Sequence, residues 1–238
     1  MNCIYNADCM DVFPLIEDEA VDMVLVDLPY GQTDCKWDCL IDIDAMWVHL
    51  KRICKPNANI VFFCTTKFGY QLIKSNEKWF RYDLVWEKAN LCGFLSANKC
   101  PLRSHEMVYV FGKPSGGTKT YNPQKTKGEP YSITTNCIVT DIYGRKSVPA
   151  HSNITGDRYP HSIQKFSQPR GKKKLHTTQK PVEACEWLIK SYSNEGDVVL
   201  DFTMGSGSTI VAARNTGRRY IGVEKDAEIF EVAMNRLS

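Results

Sequence analysis

Four continuous apolar runs punctuate the chain: VDMVLV at 21–26, IVFFC at 60–64, VVL at 198–200 and YIGV at 220–223. The first, third and fourth lead straight into an acid, Asp27, Asp201 and Glu224. Short runs with no polar alternation fit parallel strands covered on both faces. Between them the period becomes helical. Residues 42–54 set Ile43, Met46, Trp47, Leu50 and Ile53 on one face. Residues 180–192 form a second such stretch. Residues 226–237 form a third, with Asp226 as its cap and Ile229, Phe230, Ala233 and Leu237 aligned. Strands alternating with helices predict an α/β fold, a doubly wound and mostly parallel sheet. Residues 80–88 and 106–111 alternate more openly and predict an antiparallel hairpin at one edge.

From 113 to 175 the pattern breaks down, and Gly, Pro, Ser, Thr, Asn and Lys dominate. This stretch reads as an insertion of short strands and loops between 1–112 and 176–238. Charge sharpens the division. Residues 113–175 carry 12 Lys/Arg and 3 Asp/Glu, a net of +9, while the remainder carries 18 and 24, a net of −6. A basic insert on an acidic body suits a polyanionic partner.

The other composition figures exclude more than they assign. With 43% hydrophobic and 24% charged residues the chain is ordinary globular material. No apolar run reaches the length of a membrane span, and the opening MNCIYNADCMDVF lacks the form of a signal peptide, so a cytoplasmic protein with no membrane partner is expected. The ten cysteines include no CxxC pair and read as buried free thiols in a reducing compartment. His105-Glu106 and the other histidines show no metal spacing and read as structural or surface residues; no metal is expected.

Two stretches carry chemistry. Residues 198–213, VVLDFTMGSGSTIVAA, run from a strand through a glycine turn into a small-residue helix. Gly205 and Gly207 allow close backbone approach to a ligand, and the helix start offers free N–H groups. The next strand ends in Glu224, placed to accept from both hydroxyls of a ribose. A GxG turn alone is also an ordinary structural turn. With the following strand and acid it points to a nucleoside cofactor, without separating NAD from S-adenosylmethionine. Ile210 stands where the third glycine of a dinucleotide fingerprint would fall, which points away from NAD. The second stretch is Asp27-Leu28-Pro29-Tyr30-Gly31, at a strand's carboxyl end where open α/β sheets bind ligands. Its plain reading is a strand followed by a Pro-Tyr turn.

Together these motifs resemble the amino DNA methyltransferases, whose catalytic tetrapeptide reads D/N/S-P-P-Y/F. The catalytic motif comes first, the basic segment in the middle and the cofactor motif last, which is the circularly permuted order of the β group. NADCMDVF, with Asp8 and Cys9, resembles the segment that contacts the cofactor adenine. HTTQKPVEACEWLI at 176–189 resembles the H-P-T-Q-K-P motif that reaches the methionine end, which implicates Thr178 and Lys180; Lys180-Pro181 also reads as an ordinary helix start. The likeness covers nearly the whole chain outside 113–175.

The resemblance implies a class I, Rossmann-like fold and S-adenosylmethionine as cofactor. It implies double-stranded DNA as partner, reached by base flipping and often within restriction-modification systems. The leading Asp favours the N6 amine of adenine. Cytosine N4 is the alternative, and a catalytically decayed nucleic-acid-binding protein on the same fold is a further one. Methylation of RNA or of a protein glutamine uses a similar tetrapeptide, but the basic insert and the permuted order favour DNA. The implied catalytic residues are Asp27, Leu28 through its carbonyl, Pro29, and Tyr30 stacked on the flipped base. The implied cofactor residues are Asp8, Cys9, Thr178, Lys180, Asp201, Phe202, Thr203, Gly205, Gly207, Ser208 and Glu224. Two positions depart from the family pattern: Leu28 replaces a proline, and Thr203 stands where phenylalanine is usual. The basic middle takes the place of a target-recognition region, with Arg145, Lys146, Arg158, Arg170, Lys172, Lys173 and Lys174 at the DNA. Residues 32–39, with Trp37, are either a closing loop or a surface loop anchored in the core. Homodimers are common in the resembled group, though nothing in the sequence demands one. The recognition sequence and any restriction partner are not legible in the chain.

Overall fold

A run such as Val21–Asp27 has no polar face to offer water, so it becomes a strand with apolar cover on both sides. A computed structural model describes residues 2–29, 31, 40–114, 119–134, 136–140, 144–148, 150–168 and 179–238, with backbone alone for 136–140 and 144–148. The larger elements are β1 (Cys3–Asn6), α1 (Cys9–Val12), β2 (Val21–Asp27), α2 (Ile43–Ile53), β3 (Cys54–Cys64), α3 (Thr66–Ser75), β4 (Phe80–Cys92) and β5 (Arg103–Phe111). Six short strands follow: β6 (Thr126–Lys127), β7 (Tyr131–Ile133), β8 (Asn136–Thr140), β9 (Gly144–Val148), β10 (His151–Asn153) and β11 (Asp157–Arg158). The chain then forms β12 (Ile163–Phe166), α4 (Val182–Tyr192), β13 (Val198–Asp201), α5 (Ser208–Asn215), β14 (Arg219–Glu224) and α6 (Ala227–Leu237).

Among the described residues the main sheet runs β1-β14-β13-β2-β3-β5-β4-β12. Only β5 opposes the rest, pairing antiparallel with β3 and β4. Successive side chains of β2 enter different cores. Val24 and Val26 join Met46, Trp47 and Leu50 of α2, while Met23 and Leu25 join Leu188 and Ile189 of α4. That alternation is what a doubly wound sheet requires. The predicted helices start at their acidic caps: the Asp42 carboxylate accepts from the Asp44 and Ala45 amides at 3.0 Å each. Asp226 does the same for the Glu228 and Ile229 amides, at 2.9 and 3.0 Å. Such a cap contributes about 1 kcal/mol. No helix among the described residues is long and apolar enough to cross a membrane.

The structure corrects two sequence expectations and adds two short edge strands. The 80–88 and 106–111 hairpin forms, but not at the sheet edge. β5 lies between β3 and β4, and β12 pairs parallel along the outer side of β4, Ile163 opposite Val85 through Phe166 opposite Lys88. An unpaired β4 would leave a row of open backbone groups, and a four-residue strand is too short to announce itself by periodicity. At the other edge β1, equally short, pairs parallel with β14 and also escaped the pattern. The second correction concerns thiols: the seven cysteines whose side chains are described are free, but only Cys9, Cys54, Cys64 and Cys185 are buried, whereas Cys92 and Cys100 are exposed.

Chain contacts group the molecule into two units, 1–122 with 162–238, and Pro123–His161. Among the described residues the small unit holds three antiparallel ribbons, β7 with β10, β6 with β11, and β8 with β9. Arg158 braces it from inside. Its guanidinium donates to the carbonyls of Gly156 at 2.8 Å and of Glu129, and lies 4.7 Å from the Tyr131 ring centroid.

Candidate active site

Parallel neighbours end together. β14, β13 and β2 are adjacent and parallel, so Glu224, Asp201 and Asp27 come to one end of the sheet. β5 runs the other way and delivers its first half to that end, with Glu106 opposite Trp86 of β4. A cavity of about 600 Å³ opens there, within the range of small-molecule and cofactor sites. Asp27, Leu28 and Pro29 share its wall with Asp201, Phe202, Thr203, Gly205, Ser208 and Glu224, and Asp8 and Cys9 close another side. The two motifs, remote in sequence, thus line one cleft. They also touch: the Thr203 hydroxyl donates to the Asp27 carbonyl oxygen at 3.1 Å. Thr203, one of the two residues that depart from the resembled pattern, thus ties the turn to the strand tip.

The turn after β13 is shaped by backbone. The Met204 amide donates to the Val223 carbonyl at 2.9 Å and the Gly207 amide to the Met204 carbonyl at 2.8 Å. Gly205 and Gly207 sit at φ +53° and +77°, a region that side chains disfavour. A Cβ on Gly205 would meet nothing within 4 Å, so its bare face looks onto open space in the cavity wall. The Glu224 carboxylate accepts from the Gly205 amide at 2.9 Å and from the Asp226 amide at 2.8 Å, one on each oxygen. Each oxygen keeps lone-pair capacity for one further donor. Burial raises the Glu224 pKa, and the amide bonds oppose that rise. Asp201 is pushed up to about 7 by burial, against hydrogen bonds from the Thr209 hydroxyl and the Thr203 amide. Asp8 caps α1 by accepting from the Met10 amide at 2.9 Å and pairs with Lys225 at 2.9 Å; Lys225, then the amide, lowers its pKa. Ser208 donates to the Lys180 carbonyl at 2.8 Å, fixing the start of α5 to the segment before α4.

The Asp27 end is built from charge. The Lys180 ammonium pairs with Asp27 Oδ2 and lies 3.4 Å from Glu106 Oε2. Glu106 Oε1 in turn pairs with Lys88. The four side chains form a chain of alternating sign, Asp27, Lys180, Glu106, Lys88, largely out of water. Burial lowers the Lys180 pKa, but Asp27 and then Glu106 outweigh it, so the ammonium is held above its ordinary value. For Glu106 burial raises the pKa, and Lys180 and Lys88 bring it below the usual carboxylate range. Phe63 and Trp86 back this end, edge to face at 6.1 Å between ring centroids. The Lys180 ammonium lies 5.3 Å from the Phe63 ring centroid and that of Lys88 5.4 Å from Trp86. Sequence reasoning missed Lys88 and Glu106, the latter read as structural or surface. Both strands carry several charged residues, so nothing in the local pattern singles these two out.

Not every candidate falls within view. Tyr30, Thr178, Arg170, Lys172, Lys173, Lys174 and the 32–39 loop with Trp37 lie outside the described residues. Arg145 and Lys146 belong to β9, where only backbone is described.

An adenosine-containing methyl donor fits what is present: an open cleft, a glycine face without Cβ, and an acid at the end of β14 with acceptor capacity left. Comparison with known proteins decides the family. A model described as DNA methylase matches residues 21–235. The chain belongs to the DNA methylase family. It is 26% identical to the Type II methyltransferase M1.MboII of Moraxella bovis over 246 residues, covering 96% of this chain and 93% of that protein. It is 27% identical to the Type II methyltransferase M.HinfI of Haemophilus influenzae over 265 residues, covering 100% of this chain and 68% of that protein. Among solved structures, the M1.HpyAVI-SAM complex superposes with a TM-score of 0.70 at 23% identity, covering 100% of both chains. The cytosine-N4-specific PvuII DNA methyltransferase superposes with a TM-score of 0.69 at 15% identity, covering 99% of this chain and 86% of that one. The fold is therefore the doubly wound methyltransferase fold expected from the sequence. This DNA methylase uses S-adenosylmethionine, and DNA methylation is its activity.

Proposed function

We propose that this DNA methylase methylates the N6 amine of adenine, flipped out of double-stranded DNA into the cavity at Asp27. The observation that carries the proposal is the shared cleft: Asp27, Leu28 and Pro29, the first three residues of the tetrapeptide, line the same cavity as the glycine turn and Glu224. S-adenosylmethionine supplies an electrophilic methyl group when bound. The remaining work belongs to the protein. An exocyclic amine is a poor nucleophile because its lone pair is delocalised into the ring. The Asp27 carboxylate and the Leu28 carbonyl oxygen accept its two hydrogens and localise that pair on nitrogen. As positive charge grows on the nitrogen, Asp27 stabilises it. Leu28 serves here as well as proline, because its side chain is buried and Pro29 restricts it to extended backbone. Tyr30 stacks on the flipped ring, returning about 1–3 kcal/mol of the few kcal/mol that flipping costs.

On the donor side Glu224 holds the ribose and Asp8 the adenine amine, and Asp201 faces the methionine amino group. Gly205, Gly207 and Ser208 shape the turn, Phe202, Thr203 and Cys9 line the wall, and Thr178 and Lys180 serve the methionine end. Residues 113–175 act as the target-recognition region. Arg145, Lys146, Arg170, Lys172, Lys173 and Lys174 contact phosphate, together with Arg158, which also stiffens the small unit.

Cytosine N4 is the second reading, favoured by the fold likeness to a cytosine-N4-specific enzyme. Mass spectrometry of nucleosides from unmethylated duplex DNA treated with the protein separates the two. N6-methyldeoxyadenosine is expected; N4-methyldeoxycytidine would replace the adenine reading, and no methylated nucleoside would leave a decayed binding protein.

A further inference from the structure

We infer that Glu106 is a positioning residue that takes the Lys180 ammonium away from Asp27 when the target amine enters. The inference rests on the proposal that Asp27 accepts that amine. In the structure Lys180 holds Asp27 Oδ2. A cation on that carboxylate opposes catalysis twice. It competes with the amine for the acceptor oxygen, and its field cancels the stabilisation that Asp27 offers a nitrogen gaining positive charge. The Coulomb interaction falls with distance, so even a short withdrawal of the ammonium restores much of that stabilisation.

The structure holds a destination for it. Glu106 Oε2 is buried and has no hydrogen-bond partner among the described residues, and it lies 3.4 Å from the Lys180 nitrogen. That contact is an ion pair without hydrogen-bond geometry, so an ammonium shifted fully onto Oε2 gains a charge-assisted hydrogen bond there. Glu106 is itself held in place, because Lys88 binds Oε1 and the pairing of β4 with β5 sets Glu106 opposite Trp86. Phe63 lies beneath the Lys180 ammonium, 5.3 Å to the ring centroid, and its π face supports the cation. The exchange moves no proton and changes no net charge. Lys180 gives up one of its two carboxylates and tightens on the other, and the amine fills the place it leaves.

The test is a pair of substitutions read by single-turnover methylation of duplex DNA at saturating donor. Glu106→Gln keeps the size of the side chain but removes the charge that draws Lys180 off Asp27. Expected is a roughly 10–100-fold slower methyl transfer, the size of one lost charge-assisted hydrogen bond, with donor affinity within about twofold of the parent. Glu106→Asp, which keeps the charge, recovers part of the rate. In a Lys180→Met background the same Glu106→Gln change has little further effect, because there is no ammonium left to move. A purely structural role for Glu106 predicts the same loss in both backgrounds, and that result would overturn the inference. So would a Glu106→Gln protein as fast as the parent. If Glu106→Gln alone does not fold, the comparison of Lys180→Met with Lys180→Met/Glu106→Gln decides, since a further loss contradicts the exchange. A parent protein that leaves no methyl group on DNA would instead sink the proposed function itself, and this inference with it.

Discussion

The two ends of the cavity are built by different means. At the glycine-turn end the geometry is backbone: amides of Met204, Gly205 and Gly207 are fixed by local hydrogen bonds, and Glu224 is oriented by two N–H groups. At the Asp27 end it is side-chain charge, four groups from β2, β4, β5 and the segment before α4 meeting in a partly apolar corner. The backbone end is cross-braced by main-chain hydrogen bonds. At the charged end two carboxylates, Asp27 and Glu106, share the Lys180 ammonium, and the inferred exchange passes it from one to the other. One cavity thus combines a preorganised seat with a corner that is able to rearrange.

The largest effect is expected where charge develops. Asp27→Ala lowers the methylation rate by about 10²–10³-fold, the size of one preorganised electrostatic contact, while donor binding persists. Equal losses of donor affinity and rate would erase the distinction between the ends. Glu224→Gln tests the opposite end. Loss of a charged acceptor weakens donor binding by about 1.5–3 kcal/mol, roughly 10–100-fold in Kd by calorimetry, and leaves the rate at saturating donor nearly intact.

Asp201 sets a pH dependence on stability. Its folded pKa of about 7 lies above the ordinary 3.8 because it is buried. Below 3.8 both folded and unfolded chains carry the proton. Between 3.8 and about 7 the unfolded chain alone has released it, so this residue's contribution to stability falls as pH rises and is lost above about 7. Asp201→Asn removes the titration, so its melting temperature relative to the parent should climb across that window; a constant difference would contradict the assignment. The smallest change joins the two ends. Thr203→Val deletes the hydroxyl that donates to the Asp27 carbonyl. About 1 kcal/mol, roughly fivefold in rate, is expected from the loss. An unaltered rate would mean that the strand tip holds its position without the turn.

Much of this was legible before any coordinates. β2, β13 and β14 are continuous apolar runs, and α2 and α6 repeat at helical spacing, α6 behind its aspartate cap, so local pattern alone places them. The short edge strands β1 and β12 were not legible, because four residues carry no usable period and their partners lie far away in sequence. At the site, Asp27, Gly205, Gly207 and Glu224 were visible because each sits in a motif whose meaning is local. Lys88 and Glu106 were not, because nothing near either one names its partner.

Sequence by itself determined the strands, their acidic tips, the glycine turn and the basic middle, since apolar burial, glycine conformation and net charge act over a few neighbouring residues. Only the tertiary structure decided that Asp27 meets Lys180 and that Lys180 meets Glu106. Those pairings depend on strand order and on the reversed direction of β5, and long-range backbone pairing, not local preference, sets both.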